Sequence, residues 1–258
     1  MHWRMIFVVL LGFLAVFHSV HALSPKTITQ GGGIVSRAVK YLSQKEVDRL
    51  AELASQSRGT VRIGEVLGSQ KLETDVVEEA LLRVAIKQKR ISLNEARRLF
   101  LALRGAEGFP ATLKKVIGNN ARGTVGHLNE LFIARSAAES GYKVVAIGKK
   151  FNDGIKRLPT DIDILLQGNG RQIAIEAKAY NPSTALPLDK FRADMDTLLA
   201  YQKRQSVPVL PVFSLTAAPD NRSSLLMLQK EALKRGVQLI VGSPQGQVEQ
   251  IRLLEKVL

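Results

Sequence analysis

The chain has no cysteine among its 258 residues. That removes disulfides, zinc–thiolate centres and thiol nucleophiles. Histidine is nearly as scarce. His2, His18 and His21 lie near the start, which leaves His127 alone for the rest of the chain. A His-rich zinc site is therefore excluded. A Ser-His-Asp triad would have only His127 to draw on, and no G-x-S-x-G elbow accompanies it. His127 itself reads as a residue of the first turn of a helix. There is no Walker A phosphate loop. Aromatic residues make up 5% of the chain, which argues against a stacking platform for single strands. After residue 17 there is no long apolar run, which argues against a membrane protein. Carboxylate chemistry is what these absences leave.

Negative charge is also in short supply. Lys and Arg number 37 against 23 Asp and Glu, a net charge of +14. Such a balance favours a polyanionic partner, nucleic acid or an anionic membrane face. The excess is uneven. Residues 83–122 hold ten basic residues, among them Arg97, Arg98, Lys114 and Lys115, and only two acids, Glu95 and Glu107. Either this is a solvated helical face or it is a surface for a phosphate backbone. On the second reading Arg97, Arg98, Lys114 and Lys115 are the nucleic-acid contacts.

The start of the chain reads as a targeting segment. MHWRM is a short basic start, and Ile6–Phe17 is an apolar run of twelve residues, too short for a comfortable membrane span. Val20-His21-Ala22 places small residues at the −3 and −1 positions of a cleavage site after Ala22, the pattern of a secretory signal peptide. The expectation is a signal over residues 1–22 and a secreted or periplasmic protein; an uncleaved anchor is the alternative. Residues 23–35, with Pro25 and Gly31-Gly32-Gly33, read as a flexible leader.

Residues 36–121 read as amphipathic helices. Ser43–Glu46 and Ser92–Glu95 both fit the S-x-x-E capping box. Val76, Val77, Ala80, Leu81 and Val84 keep helical spacing, as do Ala96, Phe100 and Leu103. From residue 122 to 258 helices and strands alternate. The pattern predicts a helix over Val125–Ser140, a strand over Lys143–Ile147, a hairpin, a helix over Leu188–Gln205, and a strand over Pro208–Leu215. A helix over Ser223–Arg235, a strand over Val237–Val241 and a helical tail over Val248–Leu258 follow. This is an α/β fold preceded by a helical region.

The hairpin carries the chemistry. Ile162–Leu166 and Gln172–Ala179 flank the turn Gln167–Gly170. Side chains alternate along a strand, so Ile173, Ile175 and Ala177 share one face, the core face, and Glu176 and Lys178 the other. Asp163 on the partner strand can meet them. Two carboxylates and an ammonium on one sheet face suit a hard divalent cation held by oxygen ligands. The other reading of Glu176 and Lys178 is a solvated strand face. Helices follow the hairpin, however, so both sheet faces are expected to be covered, and charge on a covered sheet needs a reason.

Asp163 followed thirteen residues later by Glu176-Ala177-Lys178, with Glu130 on the helix before the sheet, resembles the PD-(D/E)xK nuclease superfamily. The resemblance covers residues 122–242. Thr160 separates Pro159 from Asp161, so the literal Pro-Asp pair is absent, and Asp163 fits the ligand position. The resemblance implies a restriction-endonuclease-like core of α-β-β-β-α-β order, with a mixed sheet flanked by helices. It implies a metal-dependent nuclease, an endonuclease acting on DNA. Asp163, Glu176 and the Ala177 carbonyl would ligate Mg²⁺ or Mn²⁺, and Lys178 would position the attacking water. Glu130 would bind a second metal or orient a water. Asp161 either joins the site or caps the turn. Lys190, Arg192 and Gln202 on the next helix are either phosphate contacts or solvated surface residues. Two readings stand beside the nuclease: a non-catalytic nucleic-acid-binding protein with the same fold, and an envelope-anchored basic protein.

Overall fold

The computed structural model describes residues 43–56, 59–154 and 159–257. The expected signal over 1–22 and leader over 23–35 lie outside them.

Among the described residues six helices come first: α1 Gln44–Ala54, α2 Gly59–Ser69, α3 Thr74–Lys87, α4 Leu93–Leu103, α5 Phe109–Gly118 and α6 Ala121–Glu139. Local chemistry sets their ends. Ser43 and Ser92 each close a complete capping box, with Glu46 and Glu95 each accepting a hydrogen bond of 2.7 Å from the cap's own backbone N–H. Asn120 caps α6 through the Gly123 N–H, so this helix starts four residues before its apolar pattern does. Gly108 enters α5 at φ 82°, and a Cβ there would stand 1.9 Å from the Ile147 carbonyl oxygen. Only glycine fits that crossing.

The rest alternates: β1 Lys143–Phe151, β2 Thr160–Gly168, β3 Arg171–Lys178, α7 Leu188–Lys203, β4 Val209–Leu215, α8 Arg222–Arg235, β5 Gln238–Val241 and α9 Pro244–Val257. The five strands form one mixed sheet in the order β1-β2-β3-β4-β5. The first two pairings are antiparallel and the last two parallel. The hairpin turn is Asn169-Gly170, both at positive φ, between the paired residues Gly168 and Arg171. Strand β1 runs four residues beyond its apolar run because Lys149, Lys150 and Phe151 pair with Ile162, Asp161 and Thr160. Helix α9 begins at Pro244, a residue suited to a first turn, four residues before the expected start.

Two apolar layers sandwich the sheet. On one face Ile164, Leu166, Ile173, Ile175, Ala177 and Val212 join Leu131, Ile133 and Ala134 of α6 and Ile251 of α9. The same cluster takes in Leu50, Leu81, Leu99 and Leu113, so the N-terminal helices share one core with the sheet. On the other face Leu165, Ala174 and Phe213 pack with Phe191 and Met195 of α7 and Leu228 of α8. Phe191 meets Phe213 edge-on at 4.6 Å between centroids. The face of Ala174, Glu176 and Lys178 is therefore a second core face and not a wet one. The described residues belong to a single unit. No helix among them is long and apolar enough to cross a membrane.

Candidate active site

Strands β2 and β3 are paired from the turn as far as Ile164–Ile175, and there the register ends. One residue further, Asp163 turns its carboxylate onto the backbone of β3, where Oδ2 accepts a hydrogen bond from the Ala177 N–H at 2.8 Å. The opening of the ladder thus brings Asp163 beside Glu176 and Lys178. Glu176 is 7% exposed. Its Oε1 forms a short ion pair with Lys178 Nζ. The same ammonium reaches Asp194 Oδ2 on α7 at 3.0 Å, and Lys190 Nζ stands 3.9 Å from that oxygen.

Electrostatics mark this cluster. Asp163 keeps a little accessible surface, yet its carboxylate is surrounded by protein. Burial, then the charges of Glu176 and Glu130, push its proton affinity well above the usual carboxylate range. Glu176 is pushed up to about 7, chiefly by burial, which outweighs the pull of Lys178. Burial works against the Lys178 ammonium, but Glu176, Asp194 and Asp163 outweigh it and hold the group charged. Burial is the first cause for both carboxyls; Glu176 and Glu130 add to it at Asp163, and Asp194 and Asp161 at Glu176.

The sequence-predicted residues separate into those the fold brings together and those it does not. Asp163, Glu176 and Lys178 converge. Glu130 on α6 is buried and near enough for its charge to act on Asp163. His127, in the second turn of α6 and not its first because the helix starts at Ala121, shares a hydrogen bond of 2.9 Å with Glu130 through Nδ1, which ties it to the site. Asp161 is half-buried and adds to the charge felt by Glu176. Gln202 is half-buried and engaged: its amide donates to the Val209 carbonyl at 2.8 Å and ties α7 to β4. Arg192 is engaged by Glu231 on α8, at 2.9 and 3.2 Å. Asp194 was not foreseen. Its signal in the sequence is slight, an acid four residues after Lys190 on the helix that follows the hairpin.

The four basic residues named for nucleic acid stand on α4 and α5. Arg97 and Lys115 are exposed and Lys114 is half-buried. Lys114 and Lys115 border a shallow depression with Val61 and Asn119. Arg98 is exposed but not free, because it makes a two-pronged pair with Glu139 at 3.0 and 2.7 Å. Glu139 lies nine residues after Glu130 on α6, two and a half turns, so the two acids leave the helix on opposite sides. Arg98 is held on the side away from Glu130.

The donor set suits a hard divalent cation: buried carboxylate oxygens at Asp163 and Glu176, with mutual repulsion that a cation would relieve. Among the described residues no group of three or more His, Asp or Glu side chains is gathered as a ready metal cage. Comparison with family models, curated proteins and solved structures returned no match.

Proposed function

We propose that this chain is a metal-dependent nuclease that hydrolyses phosphodiester bonds of DNA, built on a restriction-endonuclease-like core. One observation carries the proposal: where the β2–β3 ladder opens, Asp163, Glu176 and Lys178 meet in a largely buried, carboxylate-rich cluster. The element order from α6 to β4 and the mixed sheet are consistent with that core.

Asp163 and Glu176, with the Ala177 carbonyl, are the residues that would hold Mg²⁺ or Mn²⁺. Such an ion would supply Lewis acidity toward a phosphate oxygen and make a water more acidic. The protein's own contribution centres on Lys178. Glu176 and Asp194 keep it an ammonium. Its part is therefore to orient a water and neutralise charge building on the phosphoryl group, not to accept a proton. Glu130, hydrogen-bonded to His127, adds negative charge beside Asp163 or orients a water. Arg97, Lys114 and Lys115 would contact the phosphate backbone. Export to the periplasm or the medium is part of the proposal, with a toxin-like nuclease as a subcase.

The closed ion-pair set around Lys178 supports a second reading, a protein that keeps the fold and binds nucleic acid without cutting it. One experiment separates the two. Purified protein is incubated with circular and linear DNA in Mg²⁺, Mn²⁺ or EDTA. Nicking or linearisation in either metal, blocked by EDTA, is the expected result. DNA binding with no strand scission in either metal would leave the second reading. Binding to anionic lipid vesicles with none to DNA would favour the envelope protein.

A further inference from the structure

Helices α7 and α8 pack side by side on one face of the sheet, and between their outer edges runs an open groove of about 500 Å³. Its floor is aliphatic: Leu188 from α7, Leu226 and Met227 from α8. Leu226 is 47% exposed and Met227 42%, although Leu228 and Ala232 on the same helix are buried in the core. Positions 226, 227, 230, 231 and 234 recur at helical spacing, so they form one stripe along α8. Exposed apolar side chains in a continuous stripe mark a contact surface more than scattered ones do.

The unpaired charge around this floor is positive. Lys230 and Lys234 are exposed, and neither is paired with a carboxylate among the described residues. Arg192 lines the other side. The single acid, Glu231, is already shared between Arg192 at 2.9 Å and Arg235 at 3.0 Å. The groove is therefore an aliphatic strip with two unpaired lysines, Lys230 and Lys234, on its rim.

We propose that this groove is a docking site for a short acidic amphipathic helix of another protein, which would lay leucine-like side chains on Leu188, Leu226 and Met227 and carboxylates against Lys230 and Lys234. Three observations select that occupant. The walls are helices whose backbone groups bond internally, so no strand can be added and recognition falls to side chains. From Leu226 to Lys234 the stripe spans about 12 Å, the length of two to three helical turns. Residues 1–42, 57–58, 155–158 and 258 contain no Asp or Glu, so none of their side chains supplies the matching charge. A nucleic acid fits the groove less well. It has no aromatic side chain on which a base could stack, and its aliphatic floor would be left uncovered by a sugar-phosphate backbone.

The test uses the full chain and a displayed library of helix-prone peptides of about 16 residues, long enough to cover the stripe. The selected peptides should carry apolar residues at i, i+3 or i+4, and i+7, flanked by Asp and Glu, with micromolar affinity that weakens as salt rises. The double variant Lys230→Glu/Lys234→Glu should weaken them at least about tenfold, a loss of about 1.4 kcal/mol. Exchanging the peptide's acids for lysines should restore binding to that variant. All these side chains are exposed, so circular dichroism should match the parent protein. No enrichment, enrichment without acids, or affinity unchanged in the double variant would overturn the proposal. So would a duplex DNA that loses affinity for the double variant while no peptide binds.

Discussion

The carboxylate of Asp163 accepts a hydrogen bond from the backbone N–H of Ala177, one residue past the last paired rung of the β2–β3 hairpin, Ile164–Ile175. A side chain stands there where a backbone carbonyl would have continued the ladder. The consequence is positional. Asp163 is pinned against the strand that carries Glu176 and Lys178, and a carboxylate, not a peptide carbonyl, meets the Ala177 N–H.

Cleavage should depend on that cluster. Asp163→Asn removes a hard anionic donor while keeping the shape, and Lys178→Ala removes the ammonium. Each should lower single-turnover cleavage of a labelled duplex by about 10²–10⁴ or more, with DNA binding nearly unchanged. Wild-type rates from both variants, with native circular dichroism, would remove these residues from any active site.

Asp194 should matter without touching DNA. It is the second anchor of the Lys178 ammonium, at 3.0 Å. Asp194→Asn should reduce the cleavage rate less than Lys178→Ala does and leave DNA affinity unchanged. It should also make Lys178 more reactive toward an acylating reagent, read by peptide mass spectrometry. Unchanged labelling and unchanged rate would make the contact incidental.

Stability should carry a pH signature of the buried acid. The Glu176 carboxyl is held at about 7 in the folded protein against an ordinary 4.5. Between those values the native state binds more protons than the unfolded chain, so this group's contribution falls as pH rises. Below about 4.5 it costs nothing, and above about 7 the cost is complete, on the order of 3 kcal/mol. Glu176→Gln should therefore gain on the wild type in chemical denaturation as pH goes from 5 to 8. An unfolding difference independent of pH would show that Glu176 is ionised throughout.

The basic face should divide by partner. Arg97→Glu and Lys115→Glu should weaken DNA binding uniformly across sequences and flatten its salt dependence. Arg98→Glu should act mainly through loss of its Glu139 pair, worth about 0.2–1 kcal/mol of stability for an exposed contact. Electrophoretic mobility shift at several salt concentrations, with thermal melts, reads both effects. Wild-type affinity in the Arg97 and Lys115 variants would make this a solvated face.

Gly108→Ala should be among the costliest single changes outside the site. The residue sits at φ 82°, and a methyl group there would collide with the Ile147 carbonyl oxygen. The left-handed backbone alone costs about 1–2 kcal/mol for an L-residue. The collision must displace β1, whose Ile147 N–H bonds the Glu107 carbonyl at 2.8 Å. A fall in Tm of several degrees is expected. An unchanged Tm would mean that the crossing relaxes freely.

Much of this architecture was legible along the chain because it rests on local chemistry. The capping serines Ser43 and Ser92, the Asn169-Gly170 turn and the apolar periods of α3, α4, β3 and α7 depend on neighbours within a few residues. The gathering of Asp163, Glu176 and Lys178 was legible for the same reason, since a hairpin brings residues thirteen apart face to face. Only the tertiary structure decided the rest. It merged the N-terminal helices and the sheet into one core, and it covered the face of Glu176 and Lys178 with α7. It put Asp194 on Lys178, withdrew Arg98 to Glu139, and turned Gln202 inward onto β4. Each of those partners lies tens of residues away in sequence or on a different element. Periodicity states which face of an element is apolar, but which element will cover that face, and which charge it will carry there, is fixed only by packing.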